Sequence, residues 1–146
     1  MSQISNYLEN KIVDLVFRGQ SYSAPTVYVG LYTAAPSAAG GGTEVSGGSY
    51  ARVKTAASTS QALGDWTATQ GGTSGASSGT SGNTTNADTL TFPTPSAGWG
   101  TVTHFGLFDA ASGGNLIFWG PLTIAKTVNQ ADVVAFPAGS LSVTVS

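Results

Sequence analysis

The sequence predicts an all-β fold: a jelly-roll-like antiparallel β-sandwich of about eight strands behind a single N-terminal amphipathic helix. Three observations carry this reading. From Trp99 to Val145 the chain is written in short β-branched and aromatic runs, WGTVTHFGLFDA, NLIFWGPL, DVVAF and SLSVTVS, separated by Gly, Asn and Pro. From Thr26 the apolar period is two, with Val27, Val29 and Leu31 on one side and Tyr28 and Tyr32 on the other. Before that point Ile4, Leu8, Ile12, Leu15 and Val16 recur at helical spacing, with Glu9, Lys11 and Asp14 on other faces.

The elements follow in order. The helix is expected over 4–18, with Asn6 and Glu9 as a capping pair, Ser5 as the competing cap, Gly19 as the stop and Arg18 facing the C-terminal dipole. The strand from Thr26 ends at Ala34-Ala35-Pro36. A long, mobile connection then runs from Gly40-Gly41-Gly42 through Gly47-Gly48 around Glu44 and Val45. Tyr50 to Thr55 reads as a shorter strand with Arg52 and Lys54 on its solvent side. Residues 69–86, TQGGTSGASSGTSGNTTN, hold almost no large apolar side chain and read as an exposed flexible insert, the alternative being an ordered arm laid on a neighbouring subunit. Thr89 to Phe92 is a strand stopped by Pro93 and Pro95. Val102 to Asp109 turns through Ala111-Ser112-Gly113-Gly114 into Leu116 to Trp119, and Gly120-Pro121 breaks that strand near an edge or bulge. Ile124 to Val128, Asp132 to Phe136 and Leu141 to Val145 complete the set, the last with Leu141, Val143 and Val145 facing the core. The whole of 1–146 reads as one domain, with the sandwich over 26–146.

Composition narrows the function classes. Only 8% of residues are charged, against roughly 25% in an ordinary soluble domain, so few ions must leave water when like subunits pack together. That favours a permanent homo-oligomer. A net charge of −2 with five cations (Lys11, Arg18, Arg52, Lys54, Lys126) is too sparse for a run of phosphates, so nucleic acid is not an expected partner. No apolar run is long enough to span a membrane, and Glu9, Lys11 and Asp14 interrupt what a secretory leader would need. Synthesis and residence in a cytoplasm-like compartment, or release from a cell by lysis, is expected. Cys is absent and His occurs once, which removes disulfides and the usual zinc sets.

Catalytic groups lack partners. The single His104 is the only imidazole base, and Asp109, five residues along the same strand, points to the opposite face. Seven carboxylates (Glu9, Asp14, Glu44, Asp65, Asp88, Asp109, Asp132) are scattered without a close-set pair. Gly40 to Gly48 lacks the Lys-Ser/Thr of a phosphate loop. Tyr28, Tyr32, Trp66, Trp99 and Trp119 are able to stack on sugar rings, but their alternation with apolar residues favours core or subunit packing. No catalytic, cofactor-binding or metal-ligating residue is assigned, and the chain is read as a non-enzyme.

The strings SNYLENKIVDLVFRG, TVYVGLYTAAPSAAGGGTEVSGGSYAR and WGTVTHFGLFDAASGGNLIFWGPLTIAKTVNQADVVAFPAGSLSVTV resemble a small family of tailed-bacteriophage virion proteins, often labelled tail fibre proteins. Residues 58–87 depart from that resemblance, where a shorter connection is expected. The resemblance implies a virion structural protein. The chain shows no shaft repeats or heptads, and its build is similar to that of jelly-roll cement proteins that decorate phage capsids as trimers. The first reading is therefore a capsid decoration protein, trimeric, partnered by the major capsid protein and bridging capsomers on the capsid surface. The alternative is a tail fibre or baseplate component, receptor- or glycan-binding. A glycan hydrolase is the third and weakest-supported class. The helix of 4–18, the loop Gly40 to Gly48 and the insert Thr69 to Asn86 are the expected contact elements.

Overall fold

A computed structural model of the chain describes residues 2–145, so the domain bounds expected at Met1 and Ser146 lie outside the described residues. The chain starts with a short strand β1 (Gln3–Ile4) and the helix α1 (Asn6–Phe17). Ser5, not the expected Asn6 with Glu9, caps the helix: its hydroxyl accepts the Leu8 N–H at 3.2 Å. The reason is backbone anchoring, since Ser5 N–H donates to Ile117 O at 3.0 Å and Asn6 N–H to Ala38 O at 2.9 Å, which leaves Ser5 buried at the first turn. Arg18 N–H and Gln20 N–H both donate to Asp14 O, and the chain turns away at Gly19 as expected.

Nine further strands follow: β2 (Tyr28–Ala34), β3 (Thr43–Glu44), β4 (Val53–Lys54), β5 (Asn83–Thr85), β6 (Leu90–Thr91), β7 (Gly100–Phe108), β8 (Leu116–Val128), β9 (Ala135–Phe136) and β10 (Ser142–Thr144). The fold is all-β with one N-terminal helix, and every pairing is antiparallel. Six strands form the main sheet in the order β1-β8-β7-β2-β3, with β4 also on β2, so that β3 and β4 share the outer edge of β2 end to end. Two ribbons, β5 with β10 and β6 with β9, supply the second layer.

Register decides which side chains meet. Val29 pairs with Leu107 and Leu31 with Phe105, while Leu107 also pairs with Phe118. This face packs against Leu90, Phe92, Val134, Leu141 and Val143 from the ribbons and their flanks to make the principal core. The opposite face carries Tyr28, Gly30 and Tyr32 against Phe108, Gly106 and His104, with Trp119 beyond Gly106.

Several sequence expectations change. The connection Gly40 to Gly48 is a hydrogen-bonded hairpin, with Ser37 and Gly40 exchanging backbone bonds at 2.9 Å and β3 paired to β2, rather than a loose loop. Gly120-Pro121 does not break the chain into two strands. Instead β8 runs through, and the partners move from Val102↔Lys126 to His104↔Pro121, so six residues of β8 span three of β7. Proline has no N–H for the ladder, and the surplus is thrown out as a bulge at Leu122 to Ala125. The strand expected from Asp132 shrinks to Ala135–Phe136. Leu141 and Val143 are buried as expected, but Val145 is 53% exposed because it lies past the last ladder pair.

The ribbons are held together by one side chain. Asn86, at the end of the insert, is 1% exposed and its Nδ2 donates to Asp88 O, Phe136 O and Pro137 O, while its Oδ1 accepts Leu141 N–H at 2.8 Å. Nearby, Thr144 N–H donates to Ser2 Oγ at 2.8 Å, which brings the two chain ends side by side. Each buried polar group left unpaired costs about 1–3 kcal/mol. Asn86→Ala is therefore expected to lower the unfolding free energy by about 3 kcal/mol, measured by urea denaturation, and Asn86→Asp by at least as much, because a carboxylate offers those carbonyls no donor.

Candidate functional site: an arginine clamp and two apolar surfaces

The outer face of the main sheet is organised around two glycines directly opposite one another, Gly30 and Gly106. A Cβ on Gly30 would stand 2.8 Å from Glu44 Oε1, 2.9 Å from the Tyr50 hydroxyl and 3.0 Å from the Phe108 ring. One on Gly106 would stand 2.7 Å from the Tyr32 ring. The missing side chains leave a floor on which Tyr32 and Phe108 lie stacked at 6.2 Å, and above which Arg52 sits 3.4 Å from the Phe108 ring centroid.

Arg52 was expected on the solvent side of its strand; its side chain is instead 8% exposed. Its Nε and Nη2 grip the two oxygens of Glu44 at 2.8 Å each, and Nη1 donates to Ala110 O at 2.9 Å and Gly113 O at 2.8 Å. One guanidinium thus ties β3 to the β7–β8 turn across β2. Glu44 Oε1 also accepts the Tyr50 hydroxyl, which in turn accepts Leu31 N–H at 2.9 Å, filling the gap between β3 and β4. Burial pulls the Arg52 pKa down, but the hydrogen bonds and charge of Glu44 outweigh it and the net shift is upward. Burial, reinforced by the Glu44 charge, pushes the Tyr32 phenol up to about 12. It also raises Tyr50, where the Glu44 charge and hydrogen bond add to burial and the bond from Leu31 N–H opposes it.

His104 lies on this same face with Nδ1 2.8 Å from Thr103 Oγ1 and its ring 6.3 Å from Trp119. Asp109 is spent on the hairpin turn, where its carboxylate accepts both the N–H and the side-chain amide of Asn115. The two groups do not meet. Among the described residues no cluster of three His, Asp or Glu side chains is placed to hold a metal. Of the candidate stacking aromatics, Trp99 is buried with Nε1 donating to Gly48 O, and Trp66 donates to Thr55 Oγ1. Tyr32 joins the outer-face cluster with Trp119, whose Nε1 is buried without a hydrogen-bond partner among the described residues.

The helix turns most of its apolar residues outward. Leu8 and Tyr7 pack against the core, but no residue of α1 is buried, and Ile12, Val13, Leu15, Val16 and Phe17 are 37%, 47%, 49%, 62% and 79% exposed. Lys11 and Asp14, expected on the solvent side, are only half-exposed, and Lys11 lies over the Tyr7 ring. Over the last two turns the apolar stripe faces away from the sheet, on a helix that the sequence offers as a contact element. At 100° per residue Ile12, Val16, Glu9 and Val13 follow one another around the helix, so Glu9 is the one charge inside the apolar arc.

A second apolar surface is concave. A groove of about 720 Å3 lies between the β8 bulge and residues 134–144, floored by Val102, Phe105 and Leu141, with Ser2, Ser140, Ser142 and Thr144 also on its lining. Ile124, 80% exposed, stands on its wall, and Lys126 is the only charged lining residue among those described. The sequence signal for the groove was Gly120-Pro121, read there as a strand end or bulge. A smaller cleft of about 430 Å3 lies between the helix start, the Ala38 to Gly42 turn and Asn115. In the insert, β5 is built into the fold, while residues 70–81 are exposed and close on themselves through Gln70, which donates to Ala76 O and accepts Ser78 N–H.

The sequence matches the family described as podophage GP4 fiber I protein gp80 over residues 3–144. The chain belongs to that family. It is a phage virion structural protein family, and the match takes in the helix, all the strands and residues 58–87 within its span. No curated protein matches the chain.

Two expectations follow for this site. Arg52→Ala leaves two carbonyls without their donor and Glu44 with only the Tyr50 hydroxyl, and lowers stability by about 3 kcal/mol, whereas Glu44→Gln, which keeps acceptor and shape, lowers it less; chemical denaturation checks both. A tyrosine whose folded pKa lies above its ordinary value of about 10 binds its proton more tightly when folded, so its contribution is full below pH 10 and lost as pH rises through the folded value. The melting temperature is expected to hold from pH 7 to 9 and fall between pH 10 and 12, and Tyr32→Phe is expected to flatten part of that fall.

Proposed function

We propose that the chain is a structural subunit of a podophage tail fibre that self-associates through the outward apolar face of α1. The single observation that carries the reading is the exposure of Ile12, Leu15, Val16 and Phe17 on a capped, regular helix. Contiguous exposed apolar side chains on a polar-rimmed element mark an interaction surface, and a chain with 8% charged residues loses little hydration when copies meet. The fibre description of the family supports a tail location over the capsid-cement role suggested by the compact β-fold and missing shaft repeats.

Energetics favour more than a pair. The helix is about 18 Å long, and one helix-on-helix contact of that length falls short of the roughly 800 Å2 per partner that a specific interface buries. The helix acts as an anchor within a larger contact, as in the trimer expected from composition and build. Purified protein is expected to sediment as a trimer. The double variant Val16→Asp/Phe17→Asp is expected to sediment as a monomer with its melting temperature within about 3 °C of the parent, since exposed substitutions change stability by about 0.5 kcal/mol or less. Gold-labelled antibody on intact virions is expected to mark the tail. Labelling of tail-free capsids with bare tails would instead support decoration of the major capsid protein.

A further inference from the structure

Most exposed large apolar residues of the described chain fall into two groups. Ile12, Val13, Leu15, Val16 and Phe17 form the convex arc of α1; Ile124 stands on the wall of the groove, with Val133 next in sequence to its lining residue Val134. The groove is floored by apolar side chains and is lined by no residue of α1. The helix begins where Ser5 bonds Ile117 at one end of β8, and the groove lies past Pro121 toward the other end. Ile117 precedes Pro121 on β8, and Ile124 stands within the bulge beyond it.

The charges match. Glu9 is the one charge within the apolar arc, Lys126 is the only charged residue lining the groove, and neither makes an ion pair among the described residues. We infer that the groove of one copy receives the apolar arc of α1 from a second copy, with Val16 and Phe17 entering the groove and Glu9 meeting Lys126. This deepens the self-association proposed above and rests on it. The contact is helix to groove, so each chain offers both halves, and repeating it about a threefold axis closes the assembly as a ring. A ring of three gives every chain two such contacts, which supplies the area that one helix lacks.

A charge-reversal cycle tests the assignment by sedimentation velocity across a protein concentration series. Glu9→Lys and Lys126→Glu singly are each expected to raise the dissociation constant of the trimer about tenfold, and the double variant Glu9→Lys/Lys126→Glu to return it to within about threefold of wild type. Because Glu9 also sits in the first turn of the helix, Lys126→Glu is the cleaner single change, and Ile124→Asp is expected to weaken assembly without touching α1. Singles with no effect, or a double variant weakened by the product of both, would overturn the groove as the seat. If Val16→Asp/Phe17→Asp leaves the trimer intact, or the wild type stays monomeric throughout, the assembly reading itself falls. If that variant dissociates the trimer while Lys126→Glu and Ile124→Asp do not, only the groove assignment falls.

Discussion

The main sheet depends on one guanidinium held over a pair of glycines. Arg52 is the point where an edge hairpin, the gap in the edge of β2 and the turn between the two longest strands converge. Without room above Gly30 the Glu44 carboxylate and Tyr50 hydroxyl have nowhere to sit, and without Glu44 the buried cation has no counterion. Neither half is useful alone. The aromatic pair Tyr32 and Phe108 screens the cluster from water, which strengthens the Arg52–Glu44 attraction and raises the two tyrosine pKa values for the same reason.

Much of this fold is legible before any coordinates. Val29, Leu31, Leu141 and Val143 announce their burial by alternation, and the hairpin through Ala111 to Gly114 is marked by its glycines. Local periodicity misleads where the deciding partner is distant in sequence. Arg52 alternates like a solvent-facing residue, yet its ligands come from Glu44, Ala110 and Gly113. Val145 continues the alternation of β10 after its ladder has ended. Asn86 looks like another polar residue of a Ser/Thr/Gly-rich stretch, and nothing nearby hints that it satisfies Phe136, Pro137 and Leu141.

The helix shows the same limit in a different form. Its amphipathic period is real, and the sequence correctly places the apolar arc; what periodicity does not encode is whether that arc meets the parent sheet or another molecule. A chain poor in charge with an outward apolar helix is what the proposed self-association requires. The low charge content, which reads at first as an oddity of composition, and the exposed stripe are two expressions of one property.

The bond between Thr144 and Ser2 has a mechanical consequence. Chain enters and leaves the fold at one place, so a pull applied to the two ends would load that contact and the short strands β1 and β10 before it reached β2 or β7. Under such a pull the central strands of the sheet would carry no tension until those end contacts part. The same geometry makes the fold a candidate for circular permutation, with the old ends joined by a short linker and new ones opened in the exposed loop near Gly71 to Gly75. Such a permutant would open its new ends at the Asn83–Thr144 end of the β5–β10 ribbon, where Val145 N–H donates to Gly82 O, and would leave the arginine clamp untouched.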